Sequence, residues 1–213
     1  MLMAPVHAKA DTVNMTLTGV SGGVAGGVYT SPYYATVNGI TDVLVVCDDF
    51  SHEDSLGQSW TATTSTLSNL SGARFDVGSP SEQLQGYGEV AWLFNQLLAN
   101  PSDGNNISFA IWAVFTPSSE SSSGFTTSGP GSSASWLAAA EGQTYTSNEF
   151  PNIEILTPTD GGPGSPQEFL TEVPTPEPSS LLLLGVGLLG ISLLVRRKSS
   201  LNAAATVAVA TQE

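Results

Sequence analysis

Residues 33–47 read Tyr33-Tyr34-Ala35-Thr36-Val37-Asn38-Gly39-Ile40-Thr41-Asp42-Val43-Leu44-Val45-Val46-Cys47. The runs at 33–37 and 43–47 are rich in β-branched and aromatic side chains, which are typical of strands. Asn-Gly between two such runs is a strong signal for a tight hairpin turn. The sequence therefore predicts an antiparallel hairpin whose second strand ends at Cys47.

Further strand-like runs lie on both sides of this hairpin. Residues 13–20 alternate between polar and apolar side chains, and the Thr-rich run 60–67 is a second candidate strand. Residues 152–157 form a closing candidate. The Gly-rich residues 19–27 predict a turn or loop, and the acidic residues 48–54 predict a loop that leaves the second hairpin strand.

The middle of the chain changes to helical spacing. Ser79-Pro80-Ser81-Glu82 has the Ser and early Glu of a helix start, and Asn100-Pro101 ends the pattern. Residues 107–115 allow a strand or a helix, and 135–141 form a short helix candidate before Gly142. The Ser/Gly-rich residues 118–133 predict a mobile loop. The body is therefore predicted to be α+β, with strands, a helical middle and a closing strand.

The C-terminal part has a different organisation. Residues 158–178 are rich in Pro and Gly and predict a linker. Residues 179–195 contain no charge and predict one transmembrane helix, although the apolar run from Leu181 is short for a bilayer core of about 30 Å. Arg196-Arg197-Lys198 should stay cytoplasmic by the positive-inside rule, which leaves 199–213 as a cytoplasmic tail and places the body outside.

The N-terminus also indicates export. Ala8-Lys9-Ala10 before Asp11 has the small-x-small form of a signal-peptide cleavage site. We interpret residues 1–10 as the remnant of a signal peptide. The exported domain is then predicted to span residues 11–157.

The C-terminal residues resemble a known sorting signal. Pro176-Glu177-Pro178, the apolar run and Arg196-Arg197-Lys198 are similar in their order to the PEP-CTERM signal of Gram-negative bacteria, placed at 174–198. The resemblance implies recognition by an exosortase-type membrane protease, anchoring in the inner membrane through the helix, and surface display or release after processing. It also implies association with exopolysaccharide. The same segment is found under the label of an ice-binding-protein C-terminal domain, which does not itself imply ice binding.

Charge and cysteine content exclude several classes of function. The chain has 19 acidic and 5 basic residues and a net charge of −14. Arg74 is the only Lys or Arg between Asp11 and Pro178, so the basic surface that nucleic-acid binding requires is missing. Cys47 is the only cysteine, which excludes an intramolecular disulfide framework.

Four segments together resemble the thioester domains of bacterial surface proteins: Val46-Cys47-Asp48-Asp49-Phe50, Ala91-Trp92-Leu93-Phe94-Asn95, Ser108-Phe109-Ala110-Ile111-Trp112-Ala113-Val114 and Ser135-Trp136-Leu137. The first and third segments carry the strongest part of the resemblance through their order and distance. In that family the Cys condenses with a Gln in a Gln-x-Ala-Ile-Trp-type motif, and an incoming amine or hydroxyl then attacks the thioester. Here Ser108 stands where the Gln would lie, and Ser has no side-chain carbonyl to acylate sulfur. We therefore predict a β-rich, thioester-like domain without the thioester.

Three further sets of candidate residues each allow two interpretations. Cys47 is either a reactive thiol or a small buried hydrophobe. Asp48, Asp49, Glu53 and Asp54 either form a Ca²⁺ site or a solvated acidic loop that fits no EF-hand template. The tryptophans at 60, 92, 112 and 136 are core residues or a sugar-binding platform. No cofactor and no catalytic residues are predicted, since no nucleophile elbow surrounds Cys47.

These expectations combine into one hypothesis. The chain is predicted to be a non-enzymatic, exported surface or extracellular-matrix protein that an exosortase sorts. The alternatives are a covalent adhesin that uses Cys47 and a carbohydrate- or Ca²⁺-binding module.

Overall fold

The computed structural model describes residues 11–162 and 164–173, together with residues 186 and 188. Six strands form the main sheet: β1 Thr12–Val20, β4 Tyr33–Val37, β5 Ile40–Cys47, β6 Ser59–Thr66, β7 Ile153–Pro158 and β8 Phe169–Glu172. They are antiparallel and close into a barrel in the order β1-β4-β5-β8-β7-β6. With the three helices described below, the barrel confirms the predicted α+β class.

The predicted hairpin forms β4 and β5. Asn38 and Gly39 have φ values of 48° and 82°, and positive φ at both central positions is what a type I′ turn requires. Val37 pairs with Ile40 across this turn, and Tyr33 pairs with Val45 further along. The register shifts by one residue between Val37 and Ala35, where Asp42 of the facing strand has a φ of 59°, so the turn and this irregularity together set the pairing of the strand that ends at Cys47.

Strand β8 corrects the predicted linker. It lies inside residues 158–178, so the folded domain continues beyond residue 157, where we predicted its end. Phe169 pairs with Cys47 of β5 and with Leu156 of β7. Because β8 is the only connection between β5 and β7 in this sheet, it closes the barrel. A four-residue strand has too short a pattern to stand out in a segment rich in Pro and Gly.

The helical middle lies between β6 and β7. It contains α1 (Pro80–Ala99), α2 (Gly104–Phe115) and α3 (Ser133–Glu141). Ser79 and Glu82 form a reciprocal capping box at the start of α1, as the sequence predicted. The structure makes 107–115 part of a helix, which resolves the alternative that the sequence left open.

Parts of two segments that were predicted as loops form regular structure. The Gly-rich residues 19–27 include strand β2 (Val24–Ala25), which pairs with β3 (Val28–Tyr29) in a small hairpin. In the segment predicted as a mobile loop at 118–133, a 3-10 helix spans Pro117–Ser121. Thr126 and Ser133 also exchange hydrogen bonds across this segment.

Helix α2 links the helical layer to the barrel. It packs against α1 and α3 and also contacts β5. Phe109 and Trp112 of α2 are fully buried and meet Phe50, which follows β5, at ring-centroid distances of 6.2 and 5.2 Å. This aromatic contact places the end of β5 beside α2.

The chain divides into two units, residues 1–173 and 174–213. The predicted transmembrane helix at 179–195 lies outside the described residues except for 186 and 188, as do the predicted signal-peptide remnant at 1–10 and the tail at 199–213. Among the residues that the structure describes, no helix has the length and apolar character needed to cross a membrane.

Candidate functional site

Cys47 lies at the end of β5 and is fully buried. Its Sγ donates a hydrogen bond to the backbone oxygen of Asp49 at 3.3 Å. Burial raises the pKa of the Cys47 thiol, and the neighbouring Asp48 carboxyl raises that pKa further. Since the thiolate is the nucleophilic form, this environment favours an inert thiol.

Ser31 connects Cys47 to Ser108 of α2. The Cys47 backbone N–H donates to Ser31 Oγ at 3.1 Å, and the Ser31 backbone N–H donates to Ser108 Oγ at 3.0 Å. Ser108 Oγ also donates to the Gly104 carbonyl at 2.8 Å. The structure therefore brings together the two segments that carry the strongest part of the thioester resemblance, and the Ser108 hydroxyl is engaged in structural hydrogen bonds.

Arg74 organises the acidic segment after β5. It forms an ion pair with the buried Asp49, and His52 Nδ1 lies 2.8 Å from the same carboxylate oxygen. Arg74 also donates to Ser165 Oγ at 3.0 Å and to the Pro166 carbonyl at 2.8 Å. This network ties the acidic loop to the chain that leads into β8.

Two further carboxyl groups are buried behind this network. Glu168 accepts hydrogen bonds from Tyr87 Oη at 2.6 Å, from the Arg74 backbone N–H at 2.8 Å and from Thr157 Oγ1. The Asp48 carboxyl is fully buried, and neither of its oxygens has a hydrogen-bond partner among the described residues. Burial and the proximity of Glu168 raise the pKa of Asp48, and burial raises the pKa of Glu168.

The four candidate calcium ligands have different environments. Asp48 and Asp49 are buried, Asp54 is half-buried and Glu53 is exposed. Within the described part of the chain, no group of three or more His, Cys, Asp or Glu side chains is arranged to hold a metal ion. The acidic segment therefore provides internal ion pairing through Asp49 and an acidic surface through Glu53.

A cleft of about 570 Å³ opens beside this segment. We call it the aromatic cleft, because its apolar wall is formed mainly by Tyr29, Tyr33, Phe50, Leu56 and Trp112. Its polar side is formed by the loop residues at 52–55 together with Gln167. This volume falls within the range of small-molecule sites, which is about 300–1,000 Å³.

Asp54 is fixed at the polar side of the aromatic cleft. Its Oδ2 accepts a hydrogen bond from the Gln167 backbone N–H at 3.1 Å, whereas its Oδ1 is buried without a partner among the described residues. Burial raises the pKa of Asp54 to about 6. Gln167 Nε2 also donates to the Asp49 carbonyl at 2.6 Å, so the loop and the chain before β8 hold each other in place.

The four tryptophans are mostly in the interior. Trp60 and Trp112 are buried, while Trp92 and Trp136 are half-buried and pair with ring centroids 6.2 Å apart. Trp112 is the tryptophan that lines the aromatic cleft. The four side chains therefore do not form a shared exposed platform.

Several residues at this centre were not identified from the sequence. Ser31, Arg74, Gln167 and Glu168 connect the barrel end to the loop, but none belongs to a recognisable motif. Arg74 offered one signal, because a single cation within an acidic body has many carboxylates with which to pair. Glu168 and Gln167 lie in the predicted linker, where we expected no core contacts.

The comparison with protein families identifies the C-terminal segment. Residues 174–198 match the PEP-CTERM protein-sorting motif, so the chain carries this motif at the position that the sequence predicted. Neither the curated proteins nor the solved structures give a significant match to the chain. The motif indicates a protein that is exported, anchored in the membrane before processing, and recognised by an exosortase, which is a membrane protease. Its residues Pro176, Glu177, Pro178, Arg196, Arg197 and Lys198 lie outside the described structure.

Proposed function

We propose that this chain is a non-enzymatic protein of the cell surface or extracellular matrix that is associated with exopolysaccharide. The observation that carries the proposal is the PEP-CTERM protein-sorting motif at 174–198. This motif begins directly after residue 173, where the barrel-containing unit ends. A folded domain followed at once by a sorting motif is the arrangement expected for a displayed cargo.

The environment of Cys47 supports a role without covalent chemistry. The thiol is fully buried, its pKa is raised and Sγ donates to a backbone carbonyl. Catalytic cysteines are instead partly exposed and held in electropositive surroundings that lower the pKa. Cys47 faces two acidic neighbours, Asp48 and Asp49, so it fits a structural role better.

We further propose that the domain is a thioester-like domain that lacks the thioester. The link from Cys47 through Ser31 to Ser108 supports this assignment, because it joins the strand end and the helix that a thioester would join. Ser108 offers a hydroxyl and no acyl group. A covalent adhesin is therefore the less supported alternative.

Intact-mass spectrometry of the full chain tests the absence of covalent chemistry. The mass should equal that of the unmodified chain, and methylamine treatment should leave the mass unchanged. A maleimide should label Cys47 slowly in the folded protein and rapidly in urea, while a Cys47→Ala variant should not be labelled in either condition.

A different mass would contradict the proposal. An internal thioester lowers the mass by one ammonia, and methylamine would then raise the mass by one methylamine, because it forms an N-methylamide and releases the Cys47 thiol. Rapid maleimide labelling of the folded protein would also contradict it, because a buried thiol of raised pKa reacts slowly.

A further inference from the structure

The aromatic cleft combines π faces with a carboxylate. Tyr29, Tyr33, Phe50 and Trp112 contribute aromatic surface, and Glu53 and Asp54 contribute carboxyl groups. Asp54 is half-buried, and the Gln167 backbone N–H holds its carboxyl group in place. The cleft therefore places a fixed carboxyl group next to aromatic side chains.

Neighbouring residues hold two of the aromatic side chains, Tyr33 and Phe50, in place. Tyr33 Oη donates to the Tyr29 carbonyl at 2.7 Å, which ties β3 to the start of β4. Phe50 contacts both Trp112 and Phe109, which also contact each other, so its ring is packed against α2. Tyr29 remains 59% exposed and lines the cleft at its surface.

The charged side chains that line the cleft are mainly acidic. Glu53 and Asp54 line it, and His52 is the only cationic-type side chain among the described lining residues. Arg74 is directed into its ion pair with Asp49 and its hydrogen bonds to Ser165 and Pro166. An anionic ligand would meet repulsion here, whereas a cation would meet carboxylates and the negative faces of aromatic rings.

We propose that the aromatic cleft binds an organic ammonium ion, with the ammonium group beside the Asp54 carboxyl group and the apolar body against Tyr29, Phe50 and Trp112. A primary ammonium can donate a charge-assisted hydrogen bond to a carboxylate. The volume of about 570 Å³ leaves room for a body larger than a single ring. This inference adds a ligand class to the proposed surface function and rests on that function only for where the ligand would be met.

A charge series of small ligands tests the proposal on the full chain. The probes are 2-phenylethylammonium, its neutral analogue 2-phenylethanol and the anion 3-phenylpropanoate, titrated by calorimetry at pH 8, where Asp54 is ionised. The ammonium should bind roughly tenfold more tightly than the alcohol, because cation–π and charge-assisted contacts add to the same apolar burial. The anion should bind most weakly. The Trp112 indole signal, assigned with a Trp112→Phe variant, should shift in NMR spectra when the ammonium is added.

Two variants separate the site from general charge. Asp54→Asn should reduce binding of the ammonium to the level of the alcohol and leave alcohol binding unchanged. Asp76→Asn removes the same charge from an exposed position outside the cleft, and it should leave both affinities unchanged. If Asp54→Asn does not fold, Tyr29→Ala at the exposed rim should weaken ammonium binding instead.

Three results would overturn the proposal. The first is equal binding of the ammonium and the alcohol, which would mark a site for neutral ligands. The second is no binding of any probe, and the third is unchanged ammonium binding in Asp54→Asn. None of these results affects the outcome of the mass and labelling tests of Cys47. A failed ligand series can therefore be told apart from a failure of the proposed non-enzymatic function.

Discussion

Asp48 and Glu168 are acidic side chains that face each other in the interior next to β5 and β8. Glu168 is satisfied by three donors, from Tyr87, Arg74 and Thr157. Asp48 has no such donors among the described residues, so ionising it would bury a second, unpaired negative charge. One proton held between the two carboxyls relieves this cost.

The buried carboxyls should make the protein more stable in mild acid. Their folded-state pKa values are raised by burial above the unfolded values, which lie at about 4. The folded state then binds more protons than the unfolded state, so the free energy of unfolding falls as pH rises above about 4. Asp54, with its pKa raised to about 6, acts in the same direction. Urea unfolding should therefore give a larger free energy at pH 5 than at pH 8.

An Asp48→Asn variant isolates the contribution of the buried pair. The amide keeps the size of the side chain, cannot ionise, and can donate to Glu168, so we expect a gain of about 1–3 kcal/mol at pH 8 and little gain at pH 5. Glu53→Gln removes one charge from an exposed position of the same loop and should change stability little at either pH. An Asp48→Asn variant with the pH dependence of the original protein would refute this explanation.

Some of this centre could be predicted from the sequence and some could not. The proximity of Cys47 to Ser108, which are linked through Ser31, was expected from the resemblance of their two segments to one known motif pair. The role of Glu168 could not be predicted from the sequence, because its hydrogen-bond partners come from α1, from β7 and from the loop at Arg74. Such contacts depend on strand pairing between residues far apart in the chain, which local composition does not record.

At the scale of the elements, α1 depends on a close approach to the segment after α3. A Cβ atom placed on Gly88 would lie 2.4 Å from Cβ and Cγ of Tyr145. Tyr145 cannot move away easily, because its Oη donates to the Ala140 carbonyl of α3 at 3.0 Å. Gly88 thus permits a contact that any larger residue would block.

Gly88→Ala should therefore destabilise the protein. Alanine gains about 1 kcal/mol of helix propensity over glycine, but overpacking against Tyr145 should outweigh this and give a net loss of about 1–3 kcal/mol. Gly162→Ala is the matched control, because nothing lies within 4 Å of its added Cβ. Urea unfolding of both variants measures the difference. A Gly88→Ala variant as stable as the original would show that α1 and Tyr145 are less tightly packed.

The elements differ in how well the sequence predicts them. The hairpin of β4 and β5 and the start of α1 follow from Asn38-Gly39 and from Ser79 and Glu82, whose preferences are local. Helix α2 was ambiguous because its apolar run suits a strand or a buried helix equally. Strand β8 was missed because its four residues become a strand by pairing with β5 and β7, and not through any periodicity of their own.

At the scale of the whole molecule, the closed barrel and the sorting motif meet at one point in the chain. The last strand ends at Glu172, and the matched motif begins at residue 174. Closing the barrel leaves β5 and β7 without free edges, which protects an exported domain from edge-to-edge association. The same strand also covers Cys47 through its pairing with Phe169.

Two truncations should separate folding from sorting. A chain that ends at Val173 keeps β8, so it should unfold at the same urea concentration as the full protein and keep Cys47 resistant to maleimide. Without residues 174–198, it should be released rather than retained and processed when expressed behind a signal peptide in a bacterium with an exosortase.

A chain that ends at Thr159 lacks β8, so β5 and β7 become open edges, and it should aggregate or label rapidly at Cys47. A stable, unlabelled chain ending at Thr159 would show that β8 is not needed to close the barrel. Normal processing of the chain ending at Val173 would refute sorting by the motif.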